Sequence, residues 1–532
     1  MADGPDARAL TRQLEELNRI GAALSAERNT RLLLELILTK ARAITGSDAG
    51  SLYVVESVPA DESPDLRQPP TEQPDGQRRL RFTVAQNDSV SLPFRESFLD
   101  ITERSIAGYV ALTGETVMLD DTYELPANVP YVFNRSFDEA AGYRTRSMLA
   151  VPMRTPKGQV LGVIQLINAM RDGSVVPFSA SQSALLVSLA SQAAVALENS
   201  QLYTEIQQLF EGFVRASVVA IESRDPATSG HSFRVANLTV ALAEAVDRID
   251  SGSLANVKFS RDDLRTIRYA SLLHDFGKVG VREEILVKAK KLHPAQLEQI
   301  RDRFRLAKRT LEWSAVQSRL DFVLQFGADA YRQNRHAFDA QDRMDTARLD
   351  EQLAEVERAN EPSVLPDGSF ERLKVIAAGT YADLDGSAQP LLREDEVRLL
   401  SLRKGSLSEY ERQQIEAHVV HTFRFLRQIP WTREIRRIPS IALGHHEKLN
   451  GSGYPYKLSA PEIPVQTRMM TISDIFDALA ASDRPYKKAV PAERALSILE
   501  GEVADGALDR ELFDVFVQAR VFDRWLVESY PY

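Results

Sequence analysis

The stretches LLHDFGKVGV (residues 272–281) and HHEKLNGSGYP (residues 445–455) decide how the larger part of this chain folds. Each places histidine beside a carboxylate after an apolar run with helical character. His274 and Asp275 follow the apolar residues 269–273, so they stand at the end of a helix that we expect to be buried. An imidazole and a carboxylate in that position can reach one pair of metal ions, with the carboxylate bridging both.

The other histidines strengthen this interpretation. All eight lie at or after residue 231, and the chain contains no cysteine. His231 stands where a helix can begin, His418 lies in IEAHVVHTF, and Asp474 follows an apolar helical run. A single histidine is more often structural or exposed than a ligand. Five histidines, all in helical sequence and several beside carboxylates, favour a hydrolytic site built from imidazole and carboxylate groups. These groups are the ligands of iron, manganese or zinc.

These motifs resemble the HD-GYP family of cyclic di-GMP phosphodiesterases. RDPATSGHSFRV (residues 224–235), RMMTISDIFDAL (468–479) and RPYKKA (484–489) support the resemblance, which covers about residues 212–292 and 403–500. It implies an all-helical bundle that holds two or three metals. It also implies a set of metal ligands: His231, His274, Asp275, His418, His445, His446 and Asp474.

The resemblance further assigns roles at the catalytic site. Asp275 would bridge the metals, and Lys278 would face the substrate phosphate. Arg484 and Lys487 are implied as further phosphate contacts. The turn Gly453-Tyr454-Pro455 would border the site.

Four departures from the family pattern qualify these roles. Ala227 replaces a glutamate that serves a third metal in some members, so we expect two divalent ions, iron or manganese, with zinc, nickel or cobalt also compatible. Asn450 replaces the usual aspartate before Gly-Ser-Gly-Tyr-Pro. Thr422 replaces a usual glycine beside the extra His421, which could compete with His418; we prefer His418.

The fourth departure is an insertion at about residues 301–402. KKLHPAQLEQI (290–300) and KGSLSEYERQQIEAH (404–418) resemble two broken ends of one segment. The charged sequence between them predicts a helical insertion in a domain spanning about residues 212–525. It could cap the active site, bind a partner or decorate the surface, and these alternatives stay open.

The N-terminal part predicts an α+β domain. A helical segment (8–45) precedes strands at 49–56 and 80–85, and SMLAVPM (147–153) pairs with VLGVIQLIN (160–168). Over about residues 15–200 this resembles a GAF domain, a small-molecule sensor fold whose ligand here is unknown. Because the chain lacks cysteine, a thioether-linked bilin is excluded. The alternative is a GAF domain that serves only for dimerisation.

One long helix, residues 180–221, connects the two parts. Apolar residues recur along it at steps of four and three, the heptad pattern of a dimeric coiled coil. They are Leu202, Ile206, Leu209, Phe213, Ala216 and Ala220. We therefore expect a homodimer through the GAF and linker helices, although a helix lying on its own domain would show a similar pattern.

The chain of 532 residues is thus interpreted as a multidomain cytoplasmic protein, an α+β GAF sensor followed by an all-α HD-GYP bundle. A formal charge of −10 argues against a DNA-binding surface, and neither a signal peptide nor a membrane span is expected. The expected activity converts cyclic di-GMP to pGpG, with further cleavage to GMP left open. The alternatives are a silent module that binds cyclic di-GMP or docks a diguanylate cyclase (GGDEF) partner, and a hydrolase of another cyclic dinucleotide.

Overall fold

The computed structural model describes residues 5–57, 78–90, 96–225, 230–383, 385–481 and 490–526. The chain divides into an N-terminal unit, Met1–Phe210, and a C-terminal unit, Glu211–Tyr532. The first is a mixed α+β unit and the second is almost entirely helical. The predicted fold class is therefore confirmed.

The N-terminal unit is built on one antiparallel sheet with the strand order β3-β2-β1-β6-β5-β4, and β7 pairs with β6. The strands are β1 (Ser47–Ser57), β2 (Arg78–Asn87), β3 (Ser97–Asp100), β4 (Val117–Leu119), β5 (Met148–Arg154), β6 (Val160–Arg171) and β7 (Ser174–Val176). The helices are α1 (Pro5–Ala26), α2 (Thr30–Thr45), α3 (Ile106–Thr113), α4 (Ser136–Ala141) and α5 (Ala180–Glu222), the last of which continues into the C-terminal unit.

Apolar side chains cover both faces of the central strands β1, β5 and β6. One core cluster joins Ile37 of α2, Leu52 of β1 and Leu189 of α5, and a second joins Val110 of α3 to Val163 of β6. The single helix predicted over residues 8–45 is in fact two helices. Asn29 separates them, because its side chain accepts hydrogen bonds from two backbone N–H groups at the start of α2 and so caps a new helix there.

The C-terminal unit contains thirteen described helices after α5. They are α6 (His231–Asp247), α7 (Arg261–Leu273), α8 (Glu283–Leu286), α9 (Pro294–Phe326), α10 (Ala328–Ala359), α11 (Ser369–Ala378), α12 (Glu394–Leu400), α13 (Glu409–Glu416), α14 (His418–Leu426), α15 (Ile438–Leu443), α16 (Val465–Ala480), α17 (Ala492–Ala504) and α18 (Arg510–Gln518). Short 3₁₀ turns occur at Ser253–Asn256, Phe276–Gly280, Ala460–Glu462 and Val521–Leu526.

Helix α16 lies at the centre of this bundle. Met469, Ile472 and Phe476 are buried in a core cluster that also contains Leu238 and Leu242 of α6. Because residues around the whole circumference of α16 are buried, its two carboxylates, Asp474 and Asp477, are also inside the domain. A buried carboxylate needs partners, and the candidate site supplies them.

The segment predicted as an insertion is dominated by the antiparallel hairpin of α9 and α10. Phe304 and Val356 belong to the buried cluster at its base, whereas none of the described residues 308–348 is buried. Residue 301 lies inside α9, which runs without a break from Pro294 to Phe326. Besides its helices, the segment contains a two-stranded hairpin, β8 (Thr380–Ala382) with β9 (Ala388–Pro390), which the prediction of a helical insertion did not include.

The second half of α5 presents two different faces. Val214, Val218 and Ile221 are buried. The six residues of the predicted heptad lie on the other face and are open to solvent, with Ile206 62% and Leu209 77% exposed. Among the described residues, α5 is also the one helix that is long and apolar enough to cross a membrane, properties that core helices share. Its first half is indeed part of the N-terminal core.

Candidate metal centre

Asp275 lies between two groups of histidines. Its Oδ2 is 3.5 Å from Nε2 of His274 and 3.7 Å from Nε2 of His231. Its Oδ1 is 3.2 Å from Nε2 of His418 and 4.0 Å from Nε2 of His445. One carboxylate therefore directs one oxygen to each histidine group, which is the arrangement needed to bridge two cations.

Asp474 supplies a second carboxylate to the same site. Its Oδ1 is 3.2 Å from Nε2 of His231 and 3.9 Å from Nε2 of His274, and its Oδ2 is 3.9 Å from Nδ1 of His446. All seven residues predicted as ligands thus converge on one buried site, although His231 and Asp474 are far apart in the sequence. Helices α6, α7, α14 and α16 carry or immediately precede five of them.

Three of the histidines are oriented by a backbone carbonyl three residues earlier in the chain. Nδ1 of His274 lies 2.6 Å from the carbonyl oxygen of Ser271, and His418 and His445 make the same contact with the residue three positions earlier, at 2.6 and 2.7 Å. Because Nδ1 donates to a carbonyl, the neutral ring presents the lone pair of Nε2 to the centre of the site. This tautomer is the one that can bind a metal there.

His231 is oriented by a carboxylate that the sequence motifs did not single out. Its Nδ1 lies 2.7 Å from Oδ2 of Asp477, and Nε of Arg234 donates to Oδ1 of the same carboxylate at 2.6 Å. His231 is the first residue of α6. Asp477 lies three residues after the predicted ligand Asp474 on a buried helix and is 1% exposed. Because residues three apart lie on the same face of a helix, this spacing was the signal that could have identified Asp477.

The electrostatics of the site favour ionised carboxylates. Burial opposes charge on Asp275, but Lys278 and the neighbouring histidines hold its pKa well below the usual range. Burial also disfavours charge on His231, yet the carboxylates of Asp474 and Asp477 outweigh it and raise the pKa to about 9. Burial lowers the pKa of His446 to about 4, so this ring is neutral near pH 7.

The donor set fits divalent cations. In the described part of the chain, Nε2 of His418 and Nε2 of His445 are buried without a hydrogen-bond partner. His231, His274 and Asp275 form one group with ligand atoms within 4.8 Å of one another, and His418, His445 and His446 form another. Unpartnered imidazole nitrogens beside ionised carboxylates are costly unless a cation binds them.

Lys278 reaches the edge of this site from the 3₁₀ turn that follows Asp275. Its Nζ is 2.8 Å from Oδ2 of Asp275 and 3.4 Å from Oδ2 of Asp225. Arg484 and Lys487, the other predicted phosphate contacts, and Ala227, at the position of a third-metal ligand, lie outside the described residues. Of the three predicted phosphate contacts, Lys278 is the one within the described residues.

The Gly453-Tyr454-Pro455 turn packs against the second histidine group. The Tyr454 ring lies 4.7 Å from that of His446, centroid to centroid. A Cβ on Gly453 would be 2.6 Å or less from the backbone between His446 and Lys448, so only glycine fits this approach. Glu447 fixes the end of the turn by accepting hydrogen bonds from two later backbone N–H groups.

Asn450, which replaces the usual aspartate, and the extra His421 both lie near the site. Asn450 donates from its side chain to the carbonyl of Asp505 at 3.0 Å, and its Oδ1 accepts from Ser452, so the amide stabilises this loop. His421 faces Gly280: a Cβ there would be 2.7 Å from its Nδ1. His418 belongs to one of the two potential metal groups, and neither group contains His421.

The N-terminal unit has a separate cavity of about 400 Å³ between the sheet and α3. Tyr53 and Phe82 stack on one wall, with ring centroids 5.1 Å apart. Gln165 accepts hydrogen bonds from Ser51 and Tyr53 on the floor of the sheet. Asp138 is the charged residue among the described lining residues, and Thr145 donates two hydrogen bonds to it.

Comparison with known proteins agrees with this architecture. Residues 29–197 match the GAF domain, and residues 228–359 and 395–512 match the HD domain. The chain is similar to 3'3'-cGAMP-specific phosphodiesterase 3 of Vibrio cholerae, with 39% identity over 117 residues that cover 22% of this chain and 24% of that protein. It is also similar to a cyclic di-GMP phosphodiesterase of Pseudomonas aeruginosa, with 37% identity over 82 residues, 15% of this chain and 19% of that protein.

Both matches leave most of the relatives' own length uncovered. Among solved structures, the chain is similar to the GAF domain/HD domain protein from Geobacter sulfurreducens, with 18% identity, a TM-score of 0.24, and coverage of 34% of this chain and 98% of that one. The fold and the domain matches define a protein with a GAF domain followed by an HD domain. The second HD-domain match contains the HHEKLNGSGYP motif.

Proposed function

We propose that this chain is a metal-dependent phosphodiesterase that hydrolyses cyclic di-GMP to linear pGpG. The observation that carries the proposal is the position of Asp275, whose two oxygens face two separate histidine groups. The proposed ligands of two divalent cations, iron or manganese, are the seven residues named from the sequence. Two cations bound there would polarise the phosphodiester and supply a nucleophilic water near neutral pH.

The protein's own side chains would then orient and stabilise the reacting phosphate. Lys278 places its ammonium at the edge of the site, where it offsets the charge that develops on the phosphoryl oxygens as the ribose 3′-oxygen leaves. Tyr454 flanks His446, and burial raises its pKa, so the phenol stays protonated and can donate a hydrogen bond. Arg484 and Lys487 are proposed as further phosphate contacts.

The GAF domain is proposed to regulate this activity by binding an unknown small molecule in the cavity beside α3. We also propose that the protein is a cytoplasmic homodimer joined along the exposed heptad face of α5. The exposure of Leu202, Ile206 and Leu209 supports the dimer, because a second copy would bury this apolar face. A diguanylate cyclase partner is a further proposal that rests on the family resemblance.

3'3'-cGAMP is the second candidate substrate. The match to the Vibrio cholerae enzyme specific for that dinucleotide has slightly higher identity and extends over more residues than the match to the Pseudomonas aeruginosa enzyme. Both candidates are cyclic dinucleotides with the same 3′–5′ phosphodiester linkage chemistry. They would therefore use the same metal centre and differ in the contacts to the bases.

The test is hydrolysis by purified protein loaded with Mn²⁺ or Fe²⁺. Cyclic di-GMP and 3'3'-cGAMP are supplied separately, and linear products are separated by chromatography. We expect Asp275→Ala to lower the rate at least about a hundredfold because the bridging carboxylate is lost. Asp514→Ala, a half-exposed carboxylate on α18, is the control. Equal rates for Asp275→Ala and wild type, or no hydrolysis of either dinucleotide, would refute the proposal.

A further inference from the structure

The last residue of α5, Glu222, contacts the backbone on both sides of His231. Its Oε2 accepts a hydrogen bond from the N–H of Gly230 at 2.8 Å, and its Oε1 accepts from the N–H of Ser232 at 3.3 Å. Helix α6 begins at His231, and its N-cap residue, Gly230, has no side chain to cap it. A carboxylate from another helix therefore does what a local Ser or Asp usually does.

The residues that follow Glu222 contact the 3₁₀ turn that follows Asp275. Arg224 donates from its guanidinium to the carbonyl of Val279 at 2.6 Å. The carboxylate of Asp225 lies 3.4 Å from Nζ of Lys278. The end of α5 is thus joined to the start of α6 and to the 3₁₀ turn Phe276–Gly280, and each of these carries or adjoins a proposed ligand.

The position of this helix end is set by packing. Val218 and Ile221, one turn and one residue before Glu222, are 0% and 2% exposed. Tyr269 of α7 donates to the carboxylate of Glu211 on α5 at 3.3 Å. Because α5 is a single helix from Ala180 to Glu222, a shift or rotation of its axis moves these anchors and the Glu222 carboxylate together.

We propose that Glu222 is a positioning residue that holds His231 in the metal centre and makes cation binding depend on where the end of α5 lies. This proposal rests on the proposed metal site and concerns how α5 regulates that site. His231 is then held in two ways: Asp477 holds its ring, and Glu222 holds the backbone on either side of it. Displacement of the end of α5 would break the contact between Glu222 and this backbone. The seven proposed ligand side chains would all still be present.

The first measurement is amide hydrogen exchange in metal-free protein. In Glu222→Ala we expect the amides of Gly230 and Ser232 to exchange about tenfold faster than in wild type, because they lose their acceptor. Glu222→Gln retains one carbonyl acceptor and should lie between the two. Glu205→Gln, an exposed carboxylate on α5, is the control. Unchanged exchange in Glu222→Ala would overturn the proposal, even if the wild type bound no metal.

The second measurement is Mn²⁺ affinity by titration calorimetry. We expect Glu222→Ala to weaken binding about tenfold, with the melting temperature and the exchange of α14 amides showing that the fold is intact. Ile221→Ala keeps the carboxylate but loosens the helix end, and should weaken Mn²⁺ binding in the same direction. Wild-type affinity in both variants would overturn the dependence on α5. Absence of Mn²⁺ binding by the wild type would instead contradict the proposed function.

Discussion

The hydroxyl of Thr422 donates a hydrogen bond to the backbone carbonyl of His274 at 2.9 Å. The same oxygen accepts from the N–H of Gly277 at 2.8 Å, so one threonine on α14 joins both ends of the HDFG turn. Thr422 is fully buried. From the sequence, Thr422 was notable only as a replacement of a usual glycine. In the structure its side chain holds two parts of the metal centre together.

Replacement of Thr422 by valine should therefore destabilise the C-terminal unit. The isosteric side chain leaves one buried carbonyl and one buried N–H without a partner, and we expect the free energy of unfolding to fall by about 1–3 kcal/mol. Urea denaturation measures the change. Thr422→Ser, which keeps the hydroxyl, is the matched variant and should lose less. A loss in Thr422→Val no larger than the loss in Thr422→Ser would show that the two hydrogen bonds contribute no more to stability than the methyl group does.

Asp477→Asn should weaken metal binding without removing a ligand. The amide cannot offer His231 Nδ1 and Arg234 two negatively charged oxygens, so the ring loses its fixed orientation and part of its basicity. We expect Mn²⁺ affinity to fall about ten- to hundredfold, as measured by titration calorimetry. Asp514→Asn on the exposed face of α18 is the control. Unchanged Mn²⁺ affinity in Asp477→Asn would assign this carboxylate a purely structural role.

His418→Ala and His421→Ala should behave differently. Nε2 of His418 lies 3.2 Å from Asp275, whereas His421 lies against Gly280. We expect His418→Ala to bind one equivalent of metal fewer per chain than wild type, and His421→Ala to bind as many as wild type. Elemental analysis of protein reconstituted with Mn²⁺ measures both. The reverse pattern would move the ligand to His421.

Lys291→Met should stabilise the C-terminal unit in a pH-dependent way. Lys291 is fully buried, its Nζ donates to the carbonyl of Leu400 at 3.1 Å, and burial lowers its pKa to about 8. Between pH 8 and the usual pKa of a lysine, the unfolded chain binds more protons than the folded chain. The free energy of unfolding of the wild type therefore rises with pH in this range. Below pH 8 the cost of burying the charged amine is fully present.

At pH 7 we therefore expect Lys291→Met to unfold with a free energy higher by about 2 kcal/mol, after allowing for the lost hydrogen bond. The difference should shrink as the pH is raised towards 10. Urea denaturation at pH 7 and pH 10 measures both values. A difference that is the same at the two pH values would show that burial does not lower the pKa of this amine.

Much of the candidate site followed from local sequence. His274 and Asp275 are adjacent, and a helix that ends at Leu273 must present both at its end. Gly453 had to be glycine, because the backbone that follows His446 passes too close for a Cβ. Histidine beside carboxylate, repeated in helical contexts, also implied cation chemistry before any distance was known.

Other features depend on contacts between distant positions. Asp477 and His231 are 246 residues apart, and no property of either segment alone indicates that they pair. The sequence by itself determined which residue types are available and which helices carry them, because helical periodicity and adjacency are local. Only the tertiary structure decided which carboxylate orients His231, which hydroxyl joins the HDFG turn and which helix end caps α6, because those choices depend on how the helices pack.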